Sequence, residues 1–150
     1  MSLLNKPWET PEFTHVNRLP MRSPLTPFAT AGAARRSRVE DSPFRLDLDG
    51  KWSFRLFEKP EAVAPQDLAS GAGGKDWAPI QVPGNWTLQG YDRPHYTNID
   101  MPFDNRPPFV PEQNPTGVYR RHFTVPEHWQ GRRVVLHVAG AESVLYVVLN

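Results

Sequence analysis

The chain has 150 residues, 17 Lys and Arg against 16 Asp and Glu, and no cysteine. That is one domain's worth of chain, long enough to bury a core. A formal net charge of +1 gives no reason to expect nucleic acid, and Arg35, Arg36 and Arg38 read as a solvated basic cluster in a linker. Without cysteine there are no disulfides and no cysteine-based zinc sites, a composition that the cytosol permits. No stretch is apolar for long enough to span a membrane, residues 144–149 included. The opening Met-Ser-Leu-Leu-Asn-Lys-Pro-Trp lacks the apolar core of a secretory signal. A cytoplasmic protein is the expectation.

Residues 1–20 carry scattered apolar side chains and prolines and read as an extended arm. Residues 21–43, rich in Pro, Ala, Ser and Arg without a period, read as a linker or a wandering surface segment. Order is expected from Phe44 onward, so the organisation predicted is an arm and linker over 1–43 and a domain over 44–150. Leu46 and Leu48, then Trp52, Phe54 and Leu56, alternate with polar residues, as strands with one buried face do. Asp49-Gly50 between the two runs is compatible with a tight turn. A short helix is predicted near Pro65 to Leu68, followed by the flexible Ser-Gly-Ala-Gly-Gly. Residues 77–82 give a second strand, ended by Pro83-Gly84.

Residues 90–119 are the long connection. Proline fixes φ and removes a backbone donor, so this proline-dense stretch is neither a regular helix nor a central strand. Its aromatics, Tyr91, His95, Tyr96, Phe103 and Phe109, argue for an ordered loop that presents polar groups to a ligand. Beyond it, residues 118–125 read as a strand with Tyr119, Phe123 and Val125 on one face. Val134, Leu136 and Val138 alternate into another. Residues 143–149 are apolar on both faces, as a central strand buried from both sides would be. Antiparallel strands at short spacing with almost no helix predict an all-β sandwich. Five or six strands are too few to close one, so the sandwich is expected to be incomplete at its C-terminal end.

Several stretches together resemble the β-galactosidases of glycoside hydrolase family 2: Trp8-Glu9 with Pro11, Asn17-Arg18-Leu19, residues 48–54 (Leu-Asp-Gly-Lys-Trp-Ser-Phe), and Val82-Pro83-Gly84-Asn85-Trp86. So do residues 88–98 (Leu-Gln-Gly-Tyr-Asp-Arg-Pro-His-Tyr-Thr-Asn), Pro107-Pro108-Phe109-Val110-Pro111-Glu112 and Asn114-Pro115-Thr116-Gly117. The resemblance implies a jelly-roll, galactose-binding-like domain at the N-terminal end of a multidomain retaining hydrolase of terminal β-D-galactosides such as lactose. The catalytic glutamates would lie in a TIM barrel beyond this chain, so the chain alone is expected to be a non-catalytic and inactive fragment. The partners implied are a β-galactoside substrate, the barrel and further domains, and other copies in a homo-oligomer, which residues 1–20 would help assemble. Neither nucleic acid nor membrane is among them.

Retaining hydrolysis needs two carboxyls about 5 Å apart. Glu112, Glu127 and Glu142 are scattered loop carboxylates and offer no such pair. The resemblance assigns substrate contact to Asn98, whose amide matches vicinal hydroxyls with donors and an acceptor at once. The competing reading of Asn98 is a turn asparagine bonded to its own backbone. Trp86 and Tyr96 suit stacking on a sugar face or packing at the loop root, and Asp92 suits support of the loop beside Arg93. His95, His122 and His137 read as polar surface, and Asp100 with Asp104 lacks the spacing of a metal site. Relatives that hold a structural magnesium near their N-terminal Trp-Glu use an aspartate and an asparagine where this chain has Pro7 and Thr10. No metal is expected on this chain, while Mg2+ and Na+ are implied for the complete enzyme. The alternative function is a stand-alone carbohydrate-binding module, and a third is a pure interaction domain.

Overall fold

A computed structural model describes residues 6–69, 71, 74–95, 98 and 106–149. Its centre is an antiparallel sheet of three strands in the order β2-β1-β3: β1 at Gly50–Phe57, β2 at Ala78–Val82 and β3 at Thr116–Arg120. The predicted alternation in β1 is realised over residues 51–54, while beyond it Arg55 and Leu56 are both half-buried and Phe57 is buried on the other face. Phe54 is fully buried, Trp52 is half-buried, and Lys51 and Ser53 between them are exposed. In register, Trp52 lies opposite Ile80, and Phe54 lies opposite Ala78 on one side and Tyr119 on the other. Ile80, buried like Phe54, therefore shares its face of the sheet.

On that face the Phe54 ring is the hub. Tyr91 meets it edge-on at 4.6 Å between centroids, Tyr119 lies tilted at 4.7 Å and Trp86 at 5.9 Å. Edge-to-face and tilted aromatic pairs at these separations add to the burial of apolar area. Room for them comes from Gly117 in β3. A Cβ there would strike Trp86 Cζ3, and would stand 2.6 Å from Phe54 Cε2 and 2.7 Å from Trp86 Cε3.

The opposite face carries Arg55 and Arg120, and both fasten the short helix α2, Pro65–Leu68. Arg55 Nη1 donates to Asp67 Oδ1 at 3.1 Å, and Arg120 Nη2 donates to the Asp67 carbonyl at 2.6 Å. Asp67 also accepts from the Ala64 amide at 3.0 Å, satisfying a donor at the helix start. The arginines cover aromatic rings as well: Arg55 stands 4.5 Å above Phe57, and Arg120 stands 4.2 Å above Trp77. Near the N-terminus the Lys6 ammonium bridges Glu9 at 3.4 Å and Glu61 at 3.2 Å. Its hydrogen bond to Glu61 is the main influence raising its pKa.

These elements belong to one compact unit, made of Met1–Thr14, Asp49–Arg121 and Gly140–Asn150. A second unit combines His15–Leu48 with His122–Ala139. Here the stretch predicted as a periodless linker holds a helix, α1 at Ala31–Arg36. Thr30 Oγ1 accepts from the Ala33 amide at 3.1 Å, alanines favour the helical turn, and Arg35 and Arg36 suit its C-terminal end. Ser42 is buried and donates to the Pro27 carbonyl at 2.6 Å. The Pro43 carbonyl meets His128 Nε2 at 2.8 Å and accepts from Trp129 Nε1 at 2.9 Å.

The all-β class stands as an antiparallel sheet accompanied by only short helices among the described residues. Four local expectations do not. Phe44 lies in a turn and residues 45–49 are irregular, so Asp49-Gly50 leads into β1 rather than turning between strands. The strand expected over 118–125 starts earlier and ends at Arg120, leaving Phe123 and Val125 exposed. Residues 134–138 and 144–149 form no strand, and Val144 and Leu149 are 54% and 68% exposed. Alternating or apolar sequence makes a segment fit for a sheet, but a strand exists only where a neighbour takes its backbone hydrogen bonds. Among the described residues these segments have no such neighbour.

Two outcomes follow from the aromatic hub. Gly117→Ala is expected to destabilise by about 1–3 kcal/mol through overpacking. Gly140→Ala, with nothing within 4 Å of its added Cβ, should stay within ~0.5 kcal/mol; urea midpoints of the two variants compare them directly. Burial raises the Tyr119 phenol above its ordinary value of 10.0, so the folded state disfavours the phenolate. The resulting stability is complete below the unfolded value and is lost as pH rises through the higher folded one. Tyr119→Phe should therefore flatten the fall of Tm with pH above pH ~10.

Candidate functional site

The long loop leaves the sheet through a closely bonded root. After β2 come a cis peptide at Val82-Pro83, Gly84, and a 3-10 turn at Trp86–Gln89. Asn85 caps that turn: its Oδ1 accepts from the Thr87 amide at 3.1 Å and from Thr87 Oγ1 at 2.9 Å. Gly90 ends it with φ 91, a left-handed conformation that costs a glycine little. The Tyr91 amide then donates back to the Trp86 carbonyl at 3.2 Å.

A side-chain clamp holds the turn to the edge of the sheet. Gln89 Oε1 accepts from the Gln81 amide at 2.8 Å, and Gln89 Nε2 donates to the Gln81 carbonyl at 3.0 Å. One amide side chain thus matches both backbone groups of a strand residue, as a neighbouring strand would. Gly84 makes space for it, since a Cβ there would lie 2.7 Å from Gln89 Nε2 and 2.8 Å from the Gln81 carbonyl oxygen.

Further along, Asp92 is exposed and adopts φ 55. Arg93 and His95 are exposed, and Asn98 is exposed in a bend. Tyr96, Asp100, Phe103 and Asp104 lie outside the described residues. The loop closes through a turn in which the Phe109 amide donates to the Arg106 carbonyl at 2.9 Å, around a cis peptide at Pro107-Pro108. It rejoins the sheet where the Asn114 amide donates to the Glu58 carbonyl at 3.0 Å.

Of the sequence-derived candidates, Trp86 is half-buried and lies tilted against Phe54 at 5.9 Å. Tyr91 joins the same hub. Asn98 and Asp92 stand in the exposed stretch beyond, where an amide and a carboxylate can meet a ligand from solvent. Gly84 appeared in the sequence only as the end of a strand and inside a motif of the resemblance, and Gln89 and Gly117 only inside such motifs, because their structural roles depend on backbone brought close by folding. The pairing of Gln81 with Gln89 carries no local pattern, and only the glycine before a capping asparagine hints at a tight root. Glu112, Glu127 and Glu142 are all exposed. No group of three or more His, Asp or Glu among the described residues is placed to hold a metal ion.

Comparison with known proteins identifies the family of the chain. Residues 45–150 match the family model described as the sugar binding domain of glycosyl hydrolases family 2. A β-galactosidase of Psychromonas ingrahamii is 42% identical over 143 residues, covering 95% of this chain and 14% of the relative. That of Vibrio cholerae is 38% identical over 148 residues, 99% of this chain and 14% of the relative. That of Vibrio vulnificus strain CMCP6 is 43% identical over 118 residues, 79% of this chain and 11% of the relative. The chain thus spans about a seventh of the length of the first two relatives. With residues 45–150 matching that family model and relatives matching 95% or more of its length, the chain belongs to the family 2 glycosyl hydrolases and contributes their sugar binding domain.

Proposed function

We propose that this chain works as the sugar-binding domain of a β-galactosidase that hydrolyses terminal β-D-galactosides such as lactose, and that Asn98 is its contact to substrate. The observation that carries the reading is an exposed amide on a loop whose root is fixed to a sheet edge. It is supported by β-galactosidases that match 95% or more of the chain at 38–42% identity. An amide meets vicinal hydroxyls with two donors and an acceptor and adds no charge to compete with catalytic carboxylates. Asp92, in the same exposed stretch, is proposed as loop support or a further sugar contact, as is Tyr96. The catalytic glutamates belong, in this reading, to a TIM barrel outside the chain; Glu112, Glu127 and Glu142 are solvated.

The finer architecture proposed is a galactose-binding-like jelly roll, of which the three-stranded sheet is one part. The domain would occupy 44–150 after an arm and linker over 1–43, a division supported by the family match starting at residue 45. Assembly as a homo-oligomer and work in the cytoplasm complete the proposal; no helix among the described residues is long and apolar enough to cross a membrane. Mg2+ and Na+ are proposed for the complete enzyme, but the N-terminal residues here do not fit a metal. Pro7 has no side-chain donor atom, Thr10 Oγ1 donates to the Lys6 carbonyl at 3.4 Å, and the carboxylates Glu9 and Glu61 already share the Lys6 ammonium. Trp86, half-buried against Phe54, is likewise proposed as loop support or sugar contact. The stand-alone module is the weaker reading, because the relatives that match this chain are β-galactosidases of which it covers 14%.

In the full-length protein carrying this chain, Asn98→Ala should lower kcat/KM on a chromogenic galactoside by about tenfold or more, the loss of one or two hydrogen bonds to substrate. Tm should stay unchanged, since Asn98 is exposed. Wild-type kinetics in this variant would remove the substrate role.

A further inference from the structure

The Gln89 clamp has a purpose that packing does not explain. Gln89 is not needed to fill the core, and the 3-10 turn it ends is already capped at both ends by Asn85 and Gly90. Its side chain instead ties the last residue of that turn to a residue of β2, through two hydrogen bonds of 2.8 and 3.0 Å. The next residues, Gly90 and Tyr91, begin the loop, and the Tyr91 ring is seated on Phe54 at 4.6 Å. The chain is thus held on both sides of Gly90, by an amide on the sheet edge and by a ring in the hub. The Tyr91 amide also bonds the Trp86 carbonyl at 3.2 Å, and the clamp adds to these ties the one that joins the end of the turn to β2, so that together they set the direction in which the loop departs.

We infer that Gln89 is a positioning residue for Asn98, its clamp on Gln81 fixing the direction of the loop that brings Asn98 to the sugar. This rests on the substrate role proposed above for Asn98. Small misplacements of a substrate-orienting group are costly in rate even when they arise away from the chemistry. Loss of the clamp therefore acts on turnover through Asn98.

The test is a double-mutant cycle in the full-length protein, using Gln89→Leu and Asn98→Ala with steady-state kinetics on a chromogenic galactoside and Tm alongside. Gln89→Leu is expected to reduce kcat/KM by about tenfold when Asn98 is present. It should change kcat/KM by less than about twofold in the Asn98→Ala background, because coupled residues fail to add. An equal loss in both backgrounds would make the clamp merely structural and overturn the inference. Unchanged kinetics in Gln89→Leu beside a defective Asn98→Ala would overturn it while leaving the substrate role intact. A silent Asn98→Ala would overturn both. If the leucine variant does not fold, Gln89→Glu serves in the same cycle: it keeps the shape and the acceptor, and sets a carboxylate oxygen against the Gln81 carbonyl in place of the donor.

Discussion

Phe54 has no exposed surface, and three rings from two different parts of the chain close over it. Trp86 and Tyr91 arrive from the loop root, and Tyr119 arrives from the neighbouring strand. A glycine is required opposite them, because Gly117 stands where any side chain would collide with two rings at once. The start of the long loop is therefore part of the core. The sheet cannot reach its full packing without seating the loop root.

The other face of the sheet is organised by charge. Arg55 and Arg120 point from adjacent strands toward one aspartate, using its carboxylate and its carbonyl respectively. Each guanidinium also lies over a ring, so its planar face and its donors are used together. Ion pairs at this partial exposure (Arg55 32%, Asp67 15%) contribute modestly to stability. Their value here is directional, since they fix a four-residue helix too short to hold its shape alone.

Much of this was legible in the sequence where the signal is local. Trp52, Phe54 and Leu56 alternate, and β1 alternates over residues 51–54; Pro65 opens α2 where a proline can open a helix; Pro83-Gly84 ends β2. The helix at Ala31–Arg36 escaped because six residues give too little periodicity to stand out from a proline- and arginine-rich stretch, although Thr30 is an ordinary cap. Residues 134–138 and 144–149 show the opposite failure. Their pattern is strong, but pairing depends on a partner strand, which a segment's own residues do not specify. At the site, the proline density marked a long connection between β2 and β3, while Asn98 was singled out by the family resemblance alone. The clamp that anchors that connection was not legible, since it joins the side chain of Gln89 to the backbone of Gln81.

That clamp also gives the sheet a polarity. The outward-facing amide of Gln81 is occupied by Gln89, and the residue two places earlier on the same side is Pro79, which has no amide hydrogen to offer. The outer border of β2 is thus poor in donors over the two positions where an approaching strand would look for them. A strand approaching that flank, from this polypeptide or another, would find no free amide at either position, so the border of β2 discourages extension of the sheet on this side.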